Sequence, residues 1–150
     1  MWDLWKARLA RQVVLRTLQP FAERCGSLPE GSAMVPHVLG FLSKIVTLLA
    51  IRHSGELQSH AMASVQSSVI TALTGAGRDI VGEDIHFLSS IEDPEFAAGC
   101  RGAARFFRDL MALDLDSETR PPELADAQNA LDELWREHVT DKLPAAEELR

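Results

Sequence analysis

The chain has 150 residues, 46% hydrophobic and 25% charged, the size and make-up of one globular domain. Its net charge of −7 argues against a general nucleic-acid binder, which needs a basic face. Cys25 and Cys100 lack the CxxC spacing of zinc or redox sites and read as reduced structural thiols.

The first predicted helix runs from about Trp2 to Cys25. Trp2, Trp5, Leu9 and Val13 repeat at helical spacing, with Lys6, Arg8 and Arg11 off that line. Pro20 is expected to kink or divide this helix, and Gly26 to stop it. Charges throughout Met1 to Pro20 interrupt any apolar signal-peptide core. An amphipathic helix bearing tryptophans and bases suits a partner groove, self-association or a membrane surface. The acidic remainder of the chain disfavours anionic lipid, so membrane contact is not expected. Trp2, Trp5 and Leu9 are therefore candidate partner-binding residues, on a segment expected to be separable from the bundle.

The second region starts near Ser32, with Pro36 close to its first turn. Val38, Leu42, Ile45 and Leu49 form a stripe, and Phe41 and Leu48 fall beside it, which predicts a central buried helix. Pro36, His37 and Lys44 interrupt the apolar run from Met34 to Ile51, so it reads as a core helix and not a membrane span.

Continued in steps of three and four, the same stripe reaches His53, Glu56, His60, Ser64 and Ser67. A second apolar stripe, Leu57, Ala61, Val65, Val69 and Leu73, lies on another side. Two arrangements resolve this conflict. Either the helix breaks at Ser54-Gly55 and leaves His53, Glu56 and His60 on a solvated face. Or it continues, and those three line an internal polar pocket that binds a ligand.

A shorter helix is predicted near Asp79 to Ser90. In it Glu83-x-x-His86 has the spacing used by carboxylate-bridged di-iron bundles, so Glu83 and His86 are candidate metal ligands. No second such pair exists, although His53 and His60 would complete a mixed site if the helices meet. Asp93-Pro94-Glu95 is a helix start, followed by Phe96, Cys100, Ala103, Phe107 and Leu110 on one face. Gly99, Gly102 and Ala103 would let a neighbouring helix approach closely. Asp114 to Pro122 reads as a connection. The last helix starts near Pro122, carries Leu124, Ala127, Leu131 and Leu134, and ends before Pro144, leaving residues 142–150 as a frayed tail.

Ile45-Val46-Thr47 and Val69-Ile70-Thr71 have strand-forming composition but lie inside helical patterns. The expectation is an all-α, single-domain bundle of about five or six helices, cytoplasmic, with residues 32–75 central and 78–141 holding the remaining helices. The chain has no phosphate loop, no HExxH, no GxSxG and no tyrosine. The glycines at 75, 77 and 82 are not a dinucleotide fingerprint, because Ile80 occupies a glycine position and no strand precedes them. These features point to a non-enzymatic protein-interaction or regulatory module, using a protein partner or self-association, with no cofactor indicated. The alternative is a ligand- or metal-binding bundle, catalytic or not, built on the polar residues of the central helix.

Overall fold

Helix α2 (Pro36–Ser54) is the axis on which the rest is assembled. The computed structural model describes residues 2–115 and 121–144. Around α2 stand α1 (Trp2–Cys25), α3 (Ser59–Thr74), α4 (Arg78–Ser90), α5 (Pro94–Leu115) and α6 (Pro121–His138). Short 3-10 turns cover Glu30–Met34 and Thr140–Lys142. No strand occurs among the described residues, and both β-branched runs are helical. The chain is a single all-α domain.

Val38, Leu39, Phe41, Leu42, Ile45 and Val46 are fully buried, so α2 is covered over most of its circumference, as its apolar pattern predicts. It enters through Pro36 at the first helical position, where the missing N–H costs nothing. Its exit settles the phase conflict. Gly55 takes φ +75 and ψ −167, a region open essentially to glycine alone that costs other residues about 1–3 kcal/mol. The chain then turns by 120° into α3. That turn rephases the apolar stripe, so Val65, Val69 and Ile70 of α3 face the core. Gln66 Nε2 donates to Thr47 Oγ1 at 2.7 Å across the resulting corner.

The tightest helix pair is α2 with α5. A Cβ added at Gly99 would strike the His37 carbonyl oxygen, and one added at Gly40 would strike the Phe96 carbonyl oxygen. The two backbones thus meet with no side chain between them. Cys100 Sγ donates to the Gly40 carbonyl at 3.4 Å in the same seam. Helix α5 starts as predicted, with the Phe96 N–H donating to Asp93 Oδ2 at 2.9 Å.

Four expectations need correction. Pro20 does not divide α1, which runs unbroken to Cys25 because Leu18, Phe21 and Ala22 on either side are buried. The buried line of α1 is Ala10, Val14, Leu18 and Phe21, not the tryptophan line, so residues 1–19 are not separable from the bundle. On α5 the fully buried ring is Phe106, with Phe107 half-buried. Leu124 of α6 is exposed, whereas Leu131 and Leu134 of the predicted face are buried, together with the unpredicted Trp135. Within the predicted connection, residues 116–120 lie outside the described set, as do residues 145–150 of the predicted tail.

The aromatic centre joins four helices. Phe21 meets Phe106 edge-on at 5.0 Å and stacks on Trp135 at 5.7 Å. Phe41 meets Phe106 and Trp135 edge-on at 5.6 and 5.7 Å. Such ring geometries add about 0.5–1.5 kcal/mol each beyond burial. No single helix is long and apolar enough to cross a membrane among the described residues.

Candidate functional site

The polar residues at the end of α2 and the start of α3 all reach the surface. His53, Glu56 and His60 are exposed, the direct result of the Gly55 turn, so they do not line an internal pocket. They are also separated from one another. His53 lines a cleft of about 340 Å³ between α1, α2 and α5, with Val13, Thr17, Leu49, Arg52 and Leu110. Glu56 lines a shallow groove beside Thr47 and Met62. His60 shares a groove between α3 and α4 with Glu83, so the structure does bring these two candidates together. His86 is exposed on α4 and lies apart from that groove. Among the described residues no three His, Cys, Asp or Glu side chains are grouped to hold a metal ion.

The N-terminal candidates have a clearer placement. Trp5 is 56% exposed, and Leu9 and Val13 are half-buried. The Trp2 side chain lies outside the described set. Helix α1 therefore carries two apolar lines. Ala10, Val14, Leu18 and Phe21 face the core, while Trp5, Leu9, Val13 and Thr17, spaced four apart, run along the outside into the α1–α2–α5 cleft.

Helix α4 is two-faced in the same way. Val81 is buried, and Ile85 and Leu88 pack partly against the core. Ile80, Phe87 and Ile91 form a separate line that is exposed, Phe87 at 58%. Helical geometry sets Glu83 and Asp84 on either flank of that line.

One buried polar site was not foreseen. His37 and His138 meet with Nε2 and Nδ1 3.0 Å apart, one nitrogen donating and the other accepting. The His138 ring also lies parallel to Phe41 at 5.6 Å between centroids. Gly102 makes room for it, since any Cβ there would overlap the imidazole. Among the described residues His37 Nδ1 is buried without a hydrogen-bond partner, and a carboxylate oxygen of Glu95 lies 3.8 Å away. That carboxylate favours a proton on Nδ1, which leaves Nε2 to accept from His138. Burial pushes both imidazoles below their ordinary value, and Lys142 pushes the same way. Glu95 and Glu137 oppose this for His37, and Glu137 does so for His138. The neutral pair thus bridges the start of α2 and the end of α6. Compared with protein-family models, curated protein sequences and solved structures, the chain matched none.

Proposed function

We propose that the chain is a cytoplasmic, non-enzymatic protein-interaction module that assembles head to tail with copies of itself. The carrying observation is the pair of outward apolar lines, Trp5–Leu9–Val13 on α1 and Ile80–Phe87–Ile91 on α4, neither of which serves the core. Their surroundings have opposite charge. Arg16 is exposed beside the α1 line, and Arg52 lines the cleft that the line enters. Glu83 and Asp84 flank the α4 line. Two α1 surfaces would set bases against bases, whereas α1 against α4 of a second copy sets bases against acids. An apolar helix face seated in a groove between helices is a common recognition mode. Such a contact is heterologous, so it propagates into rings or open chains. The free thiols Cys25 and Cys100, both kept protonated by burial, suit a reducing compartment.

The test is complementation between two variants, followed by sedimentation velocity. Wild type should form a concentration-dependent ladder of oligomers. Trp5→Glu, with a damaged α1 line, and Phe87→Glu, with a damaged α4 line, should each be monomeric. An equimolar mixture should give one-to-one dimers and nothing larger, because each variant keeps one intact surface. Wild type that stays monomeric, or a mixture that does not dimerise, would sink the proposal. Both substitutions are at exposed positions, so folding should survive them.

A further inference from the structure

A second groove opens on the other side of α1, between that helix, α3 and the first residue of α4. Its volume is about 350 Å³, and Arg8, Arg11, Ser64, Ser68 and Arg78 line it. Three exposed arginines therefore line one recess of a chain whose net charge is −7. None of the three forms an ion pair with a carboxylate among the described residues. Arg78 donates to Ser64 Oγ at 3.3 Å, a neutral acceptor, and stands between this groove and the one that Asp79 and Glu83 line. Ser68 is 6% exposed, yet its hydroxyl has no hydrogen-bond partner among the described residues. Its oxygen is not among the fully buried unpartnered atoms, so it reaches the groove and is open to a ligand there.

The backbone adds to the same polarity. Helix α4 begins at Arg78, and Gly77 before it has no side chain to cap the first N–H groups. The positive end of a 13-residue helix thus stands at the edge of the groove. Asp79, Glu83 and His60 line the adjoining α3–α4 groove, so the acids confine an anion to the α1 side.

We propose that this groove binds a phosphate-bearing ligand of at least two negative charges. Its oxygens take the guanidinium groups of Arg8, Arg11 and Arg78 and the hydroxyl of Ser68. Three cations lining one groove match a multiply charged oxyanion. The site faces away from the α1 apolar line and does not depend on its having a partner.

The probe is inorganic pyrophosphate, titrated into the full chain by calorimetry. Saturable one-to-one binding is expected. Arg11→Gln and Arg78→Gln should each raise Kd about tenfold, the weight of a charge-assisted hydrogen bond. Ser68→Ala should raise it about threefold to fivefold, as for a neutral bond. Arg16→Gln removes the same charge from α1 outside the groove and should change Kd by less than about twofold. Phosphatidylcholine vesicles with and without phosphatidic acid separate the two sources of such a group. Vesicle binding that needs phosphatidic acid and is displaced by pyrophosphate assigns the site to a lipid headgroup. Pyrophosphate binding without vesicle binding assigns it to a soluble phosphate ester. No saturable pyrophosphate binding, or equal weakening by Arg16→Gln and Arg11→Gln, overturns the proposal.

Discussion

His37 and His138 couple the fold to protons. In the folded chain burial holds both imidazoles below the ordinary value of about 6.5. Below that pH the unfolded chain binds more protons than the folded one, so stability falls as pH falls. Above it both states are neutral at these residues and the dependence vanishes. The limiting slope is about 1.4 kcal/mol per pH unit for each proton. Thermal unfolding midpoints should therefore drop between pH 7 and pH 5. In the His37→Gln, His138→Gln double variant the midpoint should start lower and the drop should be markedly smaller. An undiminished drop would mean that other groups carry the acid response. The pair was invisible to sequence reasoning, which singled out His53, His60 and His86 instead. His53 and His60 stand out because the apolar stripe of the central helix runs on into them, and His86 because Glu83 precedes it at ligand spacing. His37 and His138 stand 101 positions apart, and no periodicity links them. The one local sign was the small Gly99 and Gly102, which do mark a close approach, by the His37 backbone and the His138 ring.

Helices were legible where burial is one-sided. The starts at Pro36 and Pro94 and the stop at Gly55 follow from proline, a capping aspartate and a glycine of positive φ. What periodicity could not decide was which of two apolar lines on α1 faces inward. Tryptophans look like core, yet Ala10 and Val14 face the core and Trp5 faces out. A specific clamp also holds α1 to α6. Arg24 donates from its Nη2 to Asp132 Oδ1 at 3.0 Å and from Nε to Oδ2 at 3.3 Å, and its guanidinium lies 4.8 Å from the Phe21 ring centroid. Asp132 is nearly buried, but Arg24 is 42% exposed on its side chain, so solvent weakens the pair. Asp132→Asn should lower stability by about 1 kcal/mol in urea titrations, with an unchanged dependence on denaturant. A change of several kcal/mol would mean that solvent screens the pair far less than its exposure implies.

At the scale of the molecule, two surfaces on either side of α1 stand outside the aromatic core that the described helices build. One is apolar and reaches from α1 to the α2–α5 cleft, and the other is cationic, between α1, α3 and α4. They flank the same helix, so oligomerisation and anion binding can be scored separately in one set of α1 variants. The placement of α6 has a further consequence, for the order of events during synthesis. Trp135 and His138 leave the ribosome after every ring they cover. Until then Phe21, Phe41 and Phe106 lack their lid, and His37 lacks its partner nitrogen. Ribosome-stalled chains ending at residue 120 should bind a hydrophobic-surface dye strongly, and chains extended past residue 144 with a linker should not. Helix α6 closes over α1, so this core stays exposed to chaperones and proteases until Pro121–His138 has emerged.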